Sequence, residues 1–153
     1  MLSFTLNGQA VTLEVTEAVP LLQALRGPAG LSGPRFGCGD EQCGSCMVLV
    51  DDKPCHACTL PSGAVAGRVV TTVEGLGTPD APHPLQSAFL AEQAGQCGYC
   101  LSGILISAAA LLERNPAPDD AAIRTALAPH LCRCGSHNRI IRAVRRAARE
   151  MRA

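Results

Sequence analysis

The stretch "GCGDEQCGSC", residues 37 to 46, constrains this chain more than any other. It sets Cys38, Cys43 and Cys46 close together, with Gly37, Gly39 and Gly44 among them. A loop that wraps a compact inorganic core must aim its sulfurs at one point. Side chains on that loop would strike the core, and its tight turns need φ > 0, which glycine adopts cheaply. The same wrapping turns amide hydrogens toward the sulfurs and makes a concavity suited to an anion. C-x4-C-x2-C followed by a further cysteine is the plant-type spacing for a [2Fe–2S] cluster. The fourth thiol must come from "KPCHAC", where Cys55 and Cys58 both lie within reach. His56 has no second histidine at a matching spacing, so a Rieske-type pair is not expected. Structural zinc favours paired Cys-x2-4-Cys knuckles, and three sulfurs in one loop fit it less well.

A second set follows: Cys97 and Cys100 in "QCGYC", then Cys132 and Cys134 in "LCRCGSH". Each pair immediately precedes a helical pattern. Helix N-terminal ends carry partial positive charge and free N–H groups, which favour an anion. A [2Fe–2S] core with four thiolates carries about −2 when oxidised and more when reduced. Arg133, between two of the thiols, offsets part of it. "CGYC" alone would also suit a thiol–disulfide oxidoreductase, but the strand-then-helix context of that motif is missing.

The rest of the composition agrees. Of 153 residues, 47% are hydrophobic but only 3% aromatic, so any core is built from Leu, Ile, Val and Ala. Small domains of this kind usually need a staple such as a metal. Nine cysteines is an odd number, which leaves at least one unpaired under any disulfide scheme. Thirteen basic and thirteen acidic residues give zero formal charge, which speaks against a nucleic-acid partner. No apolar run is long enough to span a membrane. The start of the chain alternates like a strand and lacks the pattern of a secretory signal. A cytoplasmic protein is expected, export with a partner aside.

Two halves are predicted. "SFTLNGQAVTLEV" reads as a hairpin around Asn7-Gly8, "VPLLQALR" as a short helix, and "CMVLVDDKPCHAC" as a strand that leaves the cysteine loop and turns at Asp51-Asp52. "RVVTTVEGL" reads as a further strand. About four strands with one helix across them make a small α+β sheet. The Gly- and Pro-rich stretch around residues 73 to 84 reads as a connection. The domains are then 1–74, a linker 75–84, and 85–153. In the second half "PLQSAFLAEQ", "LSGILISAAALLERN", "DDAAIRTAL" and "HNRIIRAVRRAAREMR" read as four helices in a bundle. The third-quoted opens with acidic residues, as helix starts do. The last places Ile140, Ile141, Val144 and Ala148 inward. Arg139, Arg142, Arg145, Arg146 and Arg149 then face outward, as a solvated face or an interface with a partner. His83 and His130, beside prolines, are expected to cap helices or lie on the surface.

The stretches "GPRFGCGDEQCGSCMVLVDDKPCHAC", "TTVEGL", "QCGYCLSGILISAAALL" and "LCRCGSHNRIIRAV" together resemble the small iron–sulfur subunit of the xanthine oxidase family of molybdenum hydroxylases. The resemblance covers most of the chain. It implies an N-terminal β-grasp, ferredoxin-like domain and a C-terminal four-helix bundle, each with one [2Fe–2S] cluster. In that family the fourth ligand follows the third by eleven residues, which selects Cys58 over Cys55. The implied ligands are Cys38, Cys43, Cys46 and Cys58, then Cys97, Cys100, Cys132 and Cys134. Gln96 and Cys134 would lie beside the pterin of a molybdopterin, in its cytosine dinucleotide form, held by a separate large subunit. The implied acceptor is a flavin (FAD) subunit or else a cytochrome c. "LCRCGSH" departs from the commoner "LCRCTGY" and, with "APHPLQ", looks more like the branch acting on N-heteroaromatics, with aldehydes the other substrate class. The expected role is electron transfer, with substrate chemistry in the partner. The alternative is a free-standing two-cluster carrier.

Overall fold

Asn7 and Gly8 both adopt positive φ, 50° and 81°, the conformation of a type I′ turn whose twist suits a two-residue hairpin. The turn joins β1 (Leu2–Leu6) to β2 (Gln9–Leu13) in antiparallel register, Leu6 opposite Gln9. A second hairpin, β3 (Met47–Val50) and β4 (Lys53–His56), turns at Asp51 and Asp52, also at positive φ. β5 (Val69–Thr71) pairs parallel to β1 and antiparallel to β3. The computed structural model, which describes residues 1–153, therefore holds one mixed sheet of order β2-β1-β5-β3-β4. This is the expected α+β sheet with one strand more than the pattern suggested. The strand expected through "RVVTTVEGL" stops at Thr71. The Thr72 amide donates to the Asn7 side chain at 2.8 Å instead of a strand partner, and the chain turns into a 3-10 segment, Val73–Gly75.

α1 (Leu21–Arg26) follows Pro20 and buries Leu21, Leu22, Ala24 and Leu25. They pack with Phe4, Val48, Val50 and Val70 on one face of the sheet. The opposite face is covered too. Met47 and Leu49 pack against Ile106 and Ala110 from the second half of the chain. β3 is thus buried at every residue, with its alternate side chains serving two cores, the pattern of a strand covered on both faces.

The second half contains α2 (Pro84–Ala91), α3 (Leu101–Arg114), α4 (Asp120–Leu127) and α5 (His137–Glu150). α3 is buried without a break from Ser102 to Leu112. Part of that girdle faces the bundle and part faces β3, which explains why its apolar residues run all round. α5 buries Ile140, Ile141, Val144 and Ala148 as expected. Its outward arginines bind within the same bundle: Arg142 and Arg146 reach Glu92 at 3.3 and 3.5 Å, and Arg145 reaches Asp120 at 3.5 Å. Such exposed pairs are each worth about 0–1 kcal/mol. No helix is long and apolar enough to cross a membrane. Val73 and Leu76, at the start of the connection, pack against the bundle core.

His83 caps α2, as expected. Its Nδ1 accepts from the Leu85 amide at 3.1 Å, while the Gln86 side chain accepts from the His83 amide at 2.8 Å. Only a neutral ring accepts, and burial, partly opposed by Glu113, lowers the His83 pKa. A depressed pKa means the cap contributes fully above the ordinary histidine value of about 6.5 and is lost as pH falls through the folded value. His83→Ala should therefore cost about 1 kcal/mol at neutral pH. Thermal melts of parent and variant should converge as the pH is lowered.

Candidate iron–sulfur sites

The first cysteine loop is built by its own amides. Cys38 Sγ accepts from the amides of Asp40 at 3.3 Å and Gln42 at 3.2 Å, and Cys43 Sγ accepts from the Cys38 amide at 3.4 Å. The Asp40 amide, with Gln42 and Cys43 adding and desolvation opposing, lowers the Cys38 thiol to about 7. Gly37 is needed for space, since a Cβ there would stand 2.6 Å from Cys43 Sγ. Cys46 is buried beside Cys58, and burial, with the Cys58 thiol adding, pushes it up to about 12. Such a thiol keeps its proton until a metal displaces it. The Thr59 hydroxyl donates to the Glu41 carboxylate, which ties the loop to the residue after Cys58.

Cys55 stands apart. It lies opposite Val48 in β4. Burial raises its pKa, and the charges it feels are Arg68, Asp51 and Lys53; no other cysteine acts on it.

The second set gathers at two helix starts. Cys100 is the residue before α3, and Cys132 and Cys134 lie in the loop leading to α5. The Tyr99 amide donates to Cys97 Sγ at 3.5 Å and, with the Cys134 thiol, lowers the Cys97 pKa. Burial pushes Cys100 up to about 12, with the Cys132 thiol adding. Burial also pushes Cys132 up, but the amides of Ser136, Gly135 and Cys134 and the Cys100 thiol outweigh it and leave the pKa lowered.

Each set of four thus falls into two neighbouring pairs: Cys38 with Cys43 and Cys46 with Cys58, then Cys97 with Cys134 and Cys100 with Cys132. No three His, Cys, Asp or Glu side chains converge as ligands of one ion. Two neighbouring pairs of thiols in each set are the donor set that a two-iron core takes, two thiolates to each iron. Two buried hydroxyls, Ser102 and Ser136, have no protein partner. Each is two residues beyond a cysteine of the second set, and a buried hydroxyl without a partner is costly unless a guest accepts from it. The residues present therefore fit a [2Fe–2S] cluster.

The two sites touch. The Leu131 amide donates to the Cys43 carbonyl at 3.1 Å. The Tyr99 hydroxyl donates to the Phe36 carbonyl, and the Arg35 guanidinium stands 5.3 Å from the centre of the Tyr99 ring. Gln96 Nε2 lies 3.4 Å from the Cys134 carbonyl and lines an open cleft of about 1150 Å³. His130 corrects the expectation of a capping or surface residue. It is 8% exposed, with Nε2 at 2.7 Å from Ser107 Oγ of α3. Burial, with His56 nearby, lowers its pKa to about 4, so the ring is neutral. Its packing partner is Gly44 of the first loop. Nothing local in "APHLC" marks that burial, because it comes from the way the loop packs on α3 and on the other half of the chain.

Two family models match in succession: a 2Fe-2S iron-sulfur cluster binding domain over residues 4–69 and a [2Fe-2S] binding domain over residues 72–145. A nicotinate dehydrogenase subunit of Pseudomonas putida is 49% identical over 151 residues, covering 99% of this chain and 96% of that one. The alpha chain of isoquinoline 1-oxidoreductase of Brevundimonas diminuta is also 49% identical, covering 98% and 99%. Among solved structures, quinoline 2-oxidoreductase of Pseudomonas putida 86 superposes with a TM-score of 0.94 at 35% identity, covering 99% of this chain and 94% of the matched one. The aldehyde oxidoreductase of Desulfovibrio desulfuricans matches at TM-score 0.95 and 39% identity, and there this chain spans 17% of a longer polypeptide. With two cluster domains in this order, over almost its full length, the chain belongs to the small [2Fe–2S] iron–sulfur subunits of the xanthine oxidase family of molybdenum hydroxylases.

Proposed function

We propose that this chain carries electrons from a molybdopterin centre in a large partner protein to an external acceptor, and that Cys38, Cys43, Cys46 and Cys58 hold one cluster and Cys97, Cys100, Cys132 and Cys134 the other. Bound there, two [2Fe–2S] clusters supply one-electron carriers. The protein's own residues place those carriers, desolvate Cys46 and Cys100, and aim amides at Cys38 and Cys43 in one site and at Cys97 and Cys132 in the other. The observation that carries the reading is the direct hydrogen bond between the two sites, Leu131 N–H to Cys43 C=O at 3.1 Å. It makes the sites neighbours, as a relay requires.

Cys58 is preferred to Cys55 because Cys58 lies fully in the core beside Cys46 and its thiol acts on Cys46, whereas Cys55 is only partly buried at the edge of that core and acts on no other cysteine. Partner docking is supported by exposed apolar residues beside both sites, Phe36 at 59%, Tyr99 at 47% and Leu131 at 64%, since exposed apolar groups clustered at a functional site mark interaction surfaces. The large subunit would cover the Gln96 side, placing Gln96 and Cys134 against the pterin, in its cytosine dinucleotide form. The similarity to subunits of nicotinate dehydrogenase and isoquinoline 1-oxidoreductase favours an N-heteroaromatic substrate over an aldehyde. Electrons would pass on to a flavin (FAD) subunit or else to a cytochrome c. A cytoplasmic location is part of the same reading, since a chain with nine cysteines and no disulfide scheme that pairs them all suits a reducing compartment.

Anaerobic purification should give about four iron and four sulfide per chain, with two distinct EPR signals after reduction. A large molybdenum-containing polypeptide should co-purify. A stable chain that purifies alone with both clusters would instead make it a free-standing carrier. A colourless zinc protein would end the reading altogether.

A further inference from the structure

The contact between the two halves is unusually close at one place, and three residues make it. Gly44, between Cys43 and Cys46, faces the His130 ring and the Pro129 carbonyl; a Cβ there would lie 2.7 Å from that oxygen. Gly103 of α3 abuts the Gly44 backbone so closely that a Cβ would overlap its carbonyl. The His130 ring fills the remaining gap. Its Nε2 is held by Ser107 at 2.7 Å, one helical turn beyond Gly103 on the same face of α3. Its Nδ1 is buried with no partner, as is Nε2 of His56. The Nδ1 edge of the ring lies against the Gly44 backbone, so the ring meets the loop by direct contact on one side while Ser107 anchors it on the other. The residue after it, Leu131, donates the amide that reaches the Cys43 carbonyl.

We infer that His130 is a positioning residue that sets the separation of the two cysteine sites: anchored on Ser107, its ring is the spacer against Gly44 that keeps the Leu131 amide on the Cys43 carbonyl. The inference rests on the two-cluster reading. Electron tunnelling falls steeply with distance, so a residue that fixes this gap governs the traffic between the sites without touching a ligand. Leu131 itself cannot serve, because its side chain is 64% exposed and only its amide takes part. Smaller residues at 130 would let the gap breathe. A spacer differs from a cage residue in one testable way: its loss loosens the bridge but leaves both clusters in place.

The test uses the cluster-loaded full chain. His130→Ala, the milder Ser107→Ala and the remote Ser3→Ala are compared by iron content, by hydrogen exchange of the Leu131 amide, and by dipolar coupling between the two dithionite-reduced clusters. The expected result is full iron in all three. The Leu131 amide should exchange at least tenfold faster in His130→Ala and faster to a smaller degree in Ser107→Ala, with weakened or broadened dipolar coupling in both. Ser3→Ala should match the parent. Full iron with unchanged exchange and coupling overturns the spacer role. Loss of iron in both His130→Ala and Ser107→Ala also overturns it, because His130 would then support a cage rather than the gap. Absence of iron from the parent chain would instead sink the two-cluster reading, and is recognised by that control.

Discussion

Cys58→Ser halves the iron, to about two per chain, and removes one of the two EPR signals, while Cys55→Ser keeps both. The two thiols are separated by only His56 and Ala57, yet they occupy different environments. Cys58 is 9% exposed within the core that also holds Cys46. Cys55, in β4, packs only partly buried against the edge of that core, within reach of the Arg68 and Asp51 charges. Removing Cys58 would strip one thiolate from a buried pair and leave an open coordination position in a site that burial otherwise keeps dry. Serine's hydroxyl is a much poorer iron ligand than a thiolate, so the cluster should be lost, not merely shifted in potential. Removing Cys55 takes away one half-buried sulfur at the edge of a core, a change of about 1 kcal/mol at most. Iron analysis with EPR reads both outcomes. Retention of both clusters in Cys58→Ser together with loss in Cys55→Ser would reverse the assignment.

Gly44→Ala should destabilise the folded chain by about 3 kcal/mol or more, where Gly8→Ala costs only about 1–2. Both glycines have left-handed φ, +73° and +81°, so both substitutions strain the backbone. Gly8 has open space around it, whereas a Cβ on Gly44 meets the Pro129 carbonyl at 2.7 Å as well as the His130 ring. The second cost is overpacking, about 1–3 kcal/mol when neighbours cannot yield. Here they cannot, since one is backbone and the other is anchored on Ser107. Relative to a typical stability of about 5–15 kcal/mol, the loss is large. Chemical denaturation followed by the visible absorbance of the clusters measures it. Equal costs at the two glycines would show that the halves are not in firm contact at Gly44.

Much of this protein was legible residue by residue. The Asn7-Gly8 and Asp51-Asp52 turns, the four helical stretches and the inward face of α5 came from short-range chemistry: turn conformers, caps and a 3.6-residue period. The cysteine sets were legible because a cluster needs thiols at particular spacings and glycines where the loop must bend. β3 is only partly legible in the sequence. "MVLV" marks a strand, but its lack of alternation has its cause in α3, far along the chain. β5 ends short of the strand that "RVVTTVEGL" predicts, because Thr72 gives its amide to Asn7, a partner distant in the chain.

The kind of chain this is, a two-site iron–sulfur protein in two unlike halves, follows from residue types and their spacing, since ligand chemistry and helix or strand periods are local properties. How the halves meet was decided only by the tertiary structure. The burial of His130, the fit of Gly103 on Gly44, the shared α3 and the Leu131–Cys43 bridge all depend on surfaces that come together after each half has formed. Contacts of that kind are set by shape and volume across distant segments, and no period or motif within either segment encodes them.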